Sequence, residues 1–482
     1  MAQSPDSSLP KIQLLTMFRL GLYQMGLGMM SLLTLGVLNR ILIDELKVLP
    51  LLAAGAIAMH QFVSPARIWF GQLSDSRPFL GQHRTGYVWC GALLFTTISF
   101  VALQVIWQLG LALQDQGWGP VSYGWTALLA LMFGLYGLAL SASSTPFAAL
   151  LVDISDDDNR SQLVGVVWSM LMVGIVVGAI ISSGLLNQPD LCGSAILKMP
   201  EGTAAATDIS QLQASINPAF IAVPALVLGL CLLATVGVES KYSRFKTRSA
   251  TAQREEQLSL SDAFAVLTAS RQTGIFFSFL LVLTISIFMQ DAVLEPFGGE
   301  VFGLCISETT RLNIPFGLGT LFGIGGSGFL ILPRVGKKNG TKLGCFGAIA
   351  CFVAIILSGL TQNLPLLNAG LFGFGLSSGL ITAGATSLML DLTAAETAGT
   401  FIGAWGLAQA LSRGLATVLG GGVLNLGKAL FDAPVLAYSS VFLLQGLGMI
   451  LAVYCLGRVN IQEFQESAKA AIATVLSNEI EG

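Results

Sequence analysis

Asp291-Ala-Val-Leu-Glu295-Pro296-Phe297-Gly298-Gly299-Glu300-Val301-Phe302 closes an apolar run that begins at Gly274. It sets two carboxylates four residues apart, a spacing that puts both on one face of a helix. Pro296 disfavours helical geometry at Glu295, so the helix is predicted to stop about there. Gly298 and Gly299 then let the chain turn sharply. The stretch lies just past the middle of the chain, and the rest reads as two matched halves around it.

The surrounding composition is that of a membrane protein. Of 482 residues, 54% are hydrophobic and 11% charged, with a mean hydropathy of +0.75; soluble chains carry about 25% charged residues. Apolar runs near 14–43, 51–70, 85–110, 122–150, 162–186, 217–238, 274–293, 311–332, 343–361, 364–390, 399–425 and 435–456 give twelve candidate spans, each near the roughly 20 residues a bilayer requires. Backbone groups in lipid must be satisfied internally, so the predicted class is all-α. A barrel would show short alternating segments, and none appear. The first run is too long for a cleavable signal and reads as a span.

Net charge is −3, with nothing to suggest a nucleic-acid partner. With the N-terminus inside, inner loops and tails hold about 16 Lys and Arg against about five outside, which places both termini in the cytoplasm. The outer cations are Arg40, Lys47, Lys198, Arg311 and Lys428. Trp107, Trp118 and Trp125 cluster at outer span ends, as in an aromatic belt. Cys90, Cys231, Cys345, Cys351 and Cys455 fall in spans and are expected to pack. Cys192 and Cys305 fall in outer loops, where a disulfide between them can form.

The loop Gly71-Gln-Leu-Ser-Asp75-Ser-Arg77-Pro-Phe-Leu-Gly81-Gln-His83-Arg84-Thr85 resembles the loop between helices 2 and 3 of the major facilitator superfamily, with its second glycine displaced. Its expected role is a latch, Asp75 pairing with cations such as Arg77 and Arg84 across the cytoplasmic face to hold the halves together. Asp153, Asp158 and Gly165 recur as Asp391, Glu396 and Gly403 at one offset without a gap. That is an internal repeat, and two parallel six-helix halves are the major-facilitator plan. The expected division is a first half 1–238, a linker 239–273, a second half 274–457 and an amphipathic tail 458–482 lying on the membrane or on a partner. Gly174 with Gly178, Gly375 with Gly379, and the glycines from Gly317 to Gly328 read as close helix contacts, or as a cleft where a flat ligand approaches backbone.

No phosphate-binding loop pattern is present, so an ATP-driven pump is excluded. No cluster has catalytic-metal spacing, and two histidines offer no convincing triad; no enzyme activity is expected. The interior polar groups remain: Gln24, too deep to reach an interface, His60, Arg67, Asp291, Glu295, Gln409 and Arg413. Ionisable groups inside spans are functional-site hypotheses by default. Arg413 is expected to meet a carboxylate, in a structural ion pair, or an anionic ligand group. His60 is either a hydrogen-bonded interior histidine or an axial ligand to a chelated metal. Asp291 and Glu295 are either a wetted helix end or a repelling pair of which one stays protonated.

Arg19-Leu20 with Gln24, Leu35-Gly36-Val37-Leu38-Asn39-Arg40, Pro65-Ala66-Arg67, Ser74-Asp75, Arg84-Thr85-Gly86-Tyr87 and Gln290-Asp291 with Leu294-Glu295-Pro296-Phe297-Gly298-Gly299 together resemble the bacteriochlorophyll delivery family. These are the PucC-like and LhaA-like proteins, a branch of the major facilitator superfamily. The likeness runs from about residue 12 to 457; the family's Arg-Arg-Thr-Pro-Tyr is here His83-Arg84-Thr85-Gly86-Tyr87. It implies a chlorophyll or bacteriochlorophyll cofactor, whose magnesium is the metal meant by the axial-ligand alternative for His60. The implied partners are light-harvesting or photosystem apoproteins and chlorophyll synthase, in a thylakoid, intracytoplasmic or plasma membrane of a phototroph. The rivals are a proton-coupled transporter of a small solute, with Asp291 or Glu295 carrying the proton, and a scaffold without pigment.

Overall fold

The computed structural model describes residues 12–155, 157–186, 209–243, 271–392 and 398–460. Apart from one isolated bridge between Phe79 and Gln82, helices carry the described fold. The first half runs α1 (Leu14–Glu45), α2 (Pro50–Phe62), α3 (Ala66–Ser76), α4 (Thr85–Gln116), α5 (Pro120–Ile154), α6 (Asp157–Leu185), α7 (Ile209–Thr235) and α8 (Val238–Tyr242). The second runs α9 (Arg271–Phe288), a 3-10 turn Met289–Ala292, α10 (Leu294–Phe302), α11 (Ile306–Arg311) and α12 (Asn313–Gly326). A π segment Ser327–Ile331, α13 (Leu332–Val335), α14 (Lys337–Thr361), α15 (Leu364–Leu392), α16 (Ala398–Leu430) and α17 (Pro434–Arg458) complete it.

Ten described helices are long and apolar enough to cross a membrane. The other two expected spans, 51–70 and 311–332, are filled by interrupted helices. At the first, α2 gives way to α3 through a turn at Val63–Pro65, where Pro65 cannot donate to a continuous helix. At the second, the π segment separates α12 from α13. The long α1 has two π segments of its own, Leu32–Val37 and Ile41–Glu45.

The predicted end of the helix at Glu295 is corrected. The break comes earlier, between Phe288 and Leu294, and a new helix starts there. Pro296 falls in its first turn, where the missing N–H would find no partner anyway. Gly298 and Gly299 are inside α10, and the chain turns at Gly303, whose φ is +67°. Asp291 and Glu295 therefore stand on different elements.

Each half has its own core. One cluster gathers buried residues from Ile12 to Tyr242, the other from Phe276 to Val459 with Ala54. The small residues act in packing. Gly178 faces the Met29 backbone, and Gly375 and Gly379 face Gly319 and Gly323 across the α12–α15 crossing. Helices α5 and α15 end one residue past Asp153 and Asp391, matching positions of the repeat. The side chain of Asp391, Glu396, most of the loop 187–216, linker residues 244–270 and the tail from 461 lie outside the described residues. Cys305 is disulfide-bonded, while its expected partner Cys192 lies outside them too; the five span cysteines are free.

A Cβ at Gly379 would lie 2.6 Å from both Ile324 N and Thr320 O. Gly379→Val is therefore expected to destabilise by about 1–3 kcal/mol through overpacking. A thermal melt of the detergent-solubilised variant that matches wild type would rule this out.

Candidate functional site

Two stretches distant in sequence interlock across the halves. In the first π segment of α1, Gly36 seats the Glu295 carboxylate, which already fills the space a Cβ would need. Three residues on, Asn39 Nδ2 donates to the Ala292 carbonyl of the 3-10 turn. Arg40 Nη2 donates to Leu304 O at 3.2 Å, and its guanidinium with Asp44 lies against Gly299, leaving no space for a Cβ. Glu295 is 2% exposed. Its Oε1 accepts from Asn313 Nδ2 at 2.9 Å, while its Oε2 has no partner among the described residues. The carboxylate at the start of α10 also suits the positive end of that helix.

Beside this interlock, Glu300 ties three elements. Lys428 lies 2.7 Å from it, Lys47 3.4 Å, and Tyr438 Oη donates to it at 2.9 Å. Arg40 pairs with Asp44 and lies 3.3 Å from Glu45. A cavity of about 440 Å³ opens here, lined by Asp44, Lys47, Glu300, Lys428, Phe431 and Asp432 among others. Burial alone would raise the Glu300 carboxyl, but the hydrogen bond and charge of Lys428, then Lys47 and Tyr438, hold it below its ordinary range. Sequence alone does not single out Glu300, although it lies five residues past Glu295 and its two lysines are outer cations.

Among the described residues, the expected latch closes within one half. Arg84 reaches Asp75 at 2.5 Å and Asp153 at 2.8 Å, and donates to Ser74 Oγ at 2.6 Å. All four belong to the first half, so these contacts fasten the loop to α5. Arg77 is exposed and gives its carbonyl to Tyr87 Oη at 3.0 Å. Gly71 lies beside Thr145 at ordinary contact distance. The organising residue is Glu239. It accepts from the backbone N–H of His83, Arg84 and Thr85 and from Thr85 Oγ1, at 2.6–3.2 Å. A carboxylate there satisfies the free donors at the start of α4 and complements its dipole. No local signal pairs residue 239 with residues 83–85.

The interior polar groups divide into two kinds. His60 is 8% exposed, near Phe133 and Tyr136. Its Nδ1 lies 2.5 Å from the Ile57 carbonyl and its Nε2 2.9 Å from Gln61 Nε2. That fixes the proton on Nδ1 and leaves Nε2 accepting. This tautomer is the one a metal ligand needs, but the Gln61 amide holds the lone pair; ligation at Nε2 requires that amide to leave. Gln24 is buried in α1. Asp291, Gln409 and Arg413 are half-buried, and Arg67, in the first turn of α3, is exposed. The Arg413 guanidinium lies 4.0 Å over the Phe288 ring and within electrostatic reach of Asp291 and Arg67. Its Nε is buried without a partner among the described residues. Asp291 thus faces Arg413, while Glu295 faces Gly36 and Asn313.

The family model described as PUCC protein matches residues 37–464. A Rhodobacter capsulatus protein, described as an uncharacterized protein in the puhA-bchM intergenic region, is 30% identical over 88% of this chain and 82% of its own. Protein PucC of the same organism is 28% identical over 93% of each chain. A third relative from it, named bacteriochlorophyll synthase 44.5 kDa chain, is 27% identical over 91% of this chain and 94% of its own. Among solved structures, a nucleoside transporter NupG mutant superposes with a TM-score of 0.62 at 14% identity, covering 92% of this chain and 99% of that one. A bacterial homolog of the human lysosomal transporter Spinster gives 0.61 at 13%, covering 95% and 97%. These likenesses establish a major-facilitator fold.

Glu300→Gln removes the acceptor that gathers Lys47 and Lys428. The effect should fall between the ~0–1 kcal/mol of an exposed pair and the ~3–5 kcal/mol of breaking a buried one. Because the folded carboxyl sits below its unfolded value, its contribution is complete above about pH 4.3 and is lost as pH falls further. Wild type should therefore lose thermal midpoint below that pH more steeply than Glu300→Gln. Identical midpoints at pH 7 and parallel acid profiles would exclude a role for Glu300 in holding the halves.

Proposed function

The chain belongs to the PUCC protein family, and from that premise we propose that it binds a chlorophyll- or bacteriochlorophyll-type pigment and delivers it to light-harvesting or photosystem apoproteins. It is a multi-pass membrane protein related to photosynthetic complexes. The name bacteriochlorophyll synthase 44.5 kDa chain on one relative supports a link to pigment synthesis, and in this reading a chlorophyll synthase supplies the pigment. The chain itself catalyses no covalent step.

The observation that carries the proposal is Arg413. An arginine inside a membrane helix is costly, and this one keeps a buried Nε without a partner among the described residues. It is held on Phe288 at 4.0 Å, with Gln409 one turn earlier on the same helix. Such a group is placed for a ligand with polar oxygens on an apolar body. Bound pigment would supply the light-absorbing macrocycle; the residues to hold it are Arg413, Arg67, Gln409 and Gln24. His60 would join them only after Gln61 leaves its Nε2. Asp291 beside Arg413 favours a second reading, proton-coupled transport of a small solute with Asp291 as the carrier.

Protein purified mildly from the native membrane of a phototroph is expected to retain red-absorbing pigment, and Arg413→Gln to lower that content severalfold. A colourless wild-type protein that takes up a small solute with protons in vesicles would sink the first reading in favour of the second.

Both termini are proposed to face the cytoplasm, in a thylakoid, intracytoplasmic or plasma membrane, from the lysine and arginine asymmetry. An impermeant thiol reagent outside right-side-out vesicles should label Asp432→Cys above the wild-type background and leave Ser76→Cys unlabelled. The opposite pattern would invert the topology.

A further inference from the structure

We propose that the acidic tail past Asn460 docks, through Glu463 and Glu466, on the basic end of the second half, where α9 and α14 begin and α17 ends. This docking is independent of any pigment.

Arg271 opens α9, Lys337, Lys338 and Lys342 stand in the first turns of α14, and Arg458 closes α17. Arg334 lies on α13, one tight turn before Lys337, with Gly336 at a φ of +83°. The three arginines are exposed and the three lysines half-buried. Direct contacts hold these elements together. Lys338 Nζ donates to Gly457 O at 3.2 Å and to Val459 O at 2.8 Å. The last carbonyls of a helix have no partner within it, and a cation there complements its negative end. The Asn460 N–H donates to Gln272 Oε1 of α9 at 3.1 Å, and the Arg458 guanidinium lies 4.6 Å over the Tyr454 ring. The chain beyond Asn460 therefore starts among these cations. The acids of this half with described side chains, Asp291, Glu295, Glu300, Glu308 and Asp432, all stand past the far ends of α9 or α16.

Like charges gathered at one end repel, and an opposite charge brought beside them is favourable. Asp391 stands near the end of α15 and Glu396 follows it in sequence, two acids against these six cations. The linker brings Arg244, Lys246, Arg248 and Arg254 beside Glu255, Glu256 and Asp262, and so offsets nothing. The tail is the acidic piece, with Glu463, Glu466, Glu479 and Glu481 against Lys469. Reach makes the first two decisive. A fully extended chain keeps Glu463 within about 11 Å of Asn460 and Glu466 within about 22 Å. At helical spacing those two acids lie on the edge opposite Ile461, Phe464, Ala468 and Ile472. Ionic docking uses the one edge and leaves the apolar edge to the bilayer.

Lys469 is the tail's one trypsin site. The full chain in phosphatidylcholine nanodiscs is digested with trypsin, and the initial release of residues 470–482 is followed by mass spectrometry beside a free peptide of residues 461–482. At low salt the tail is expected to be cut at least about fivefold more slowly than the peptide, because proteolysis follows the undocked population. Raising salt to about 0.5 M, where charges are strongly screened, should remove most of that protection in wild type, with no variant needed. Glu463→Gln together with Glu466→Gln should remove it at low salt. A carbodiimide should join Glu463 or Glu466 to Lys338 or Lys342. A wild-type tail cut as fast as the peptide overturns the docking. Protection that survives both high salt and the double variant also overturns it, since the tail is then held on lipid by its apolar edge. So does protection lost when phosphatidylglycerol replaces phosphatidylcholine, because lipid headgroups then take the basic end. Cross-links to Lys241 or Lys246 alone would move the tail to the linker and overturn the assignment.

Discussion

The contact on which the rest of the structure depends is a carboxylate resting on a glycine. The Glu295 side chain occupies the space over Gly36 where any other residue would place a Cβ. Each half has its own core, with Ala54 of α2 reaching into that of the second half. Helix α2 packs on α16 and α6 on α12 across the halves, and the polar contacts gather at one end: Asn39 to Ala292, Arg40 to Leu304, Lys47 to Glu300 and, nearby, Arg311 to Ser183. Gly36 and Gly299 permit the approach, because a methyl at either position would strike Glu295 or the Arg40–Asp44 pair. A buried carboxylate oxygen without a donor is unfavourable alone. It persists here because the backbone contacts around it leave the side chain nowhere else to go.

Much of this fold was legible in the sequence, and for a simple reason: lipid demands long apolar helices, and hydropathy reports them directly. The repeat from Asp153 to Asp391 likewise marks matching helix ends. What failed was the local reading of Pro296. Proline is a stop signal inside a helix and a tolerated residue in its first turn, and the sequence does not say which turn it occupies. Placing the break near Phe288 instead of Glu295 separates the two acids. One faces Arg413 and the other Gly36, although their spacing suggested a single pair.

The site was legible by residue type and not by partner. Arg413, Asp291 and Glu295 stand out because charge in a membrane span is rare, and the structure does bury or half-bury all three. Glu239 and Glu300 do not stand out, since a carboxylate near a span end looks like ordinary solvated surface. Their roles are contacts across 154–156 and 128–253 residues of chain, and no periodicity encodes those. The Asp75 loop illustrates the same limit. The motif predicts that charges will pair, and they do, but Arg84 is taken by Asp153 of its own half.

These contacts divide the polar residues by task. At the Glu300 end, Arg40, Lys47 and Lys428 meet Asp44, Glu45 and Glu300 directly, so the cations there are already matched. Arg413 instead has Asp291 within electrostatic reach, and its Nε is buried without a partner among the described residues. A set of charges that is complete within the protein holds it in one conformation, because a ligand adds nothing to it. A set with excess charge gains most when an opposite charge arrives. The carboxylates Glu295 and Glu300 thus serve to close the halves at one end, while Asp291 lies within electrostatic reach of Arg413.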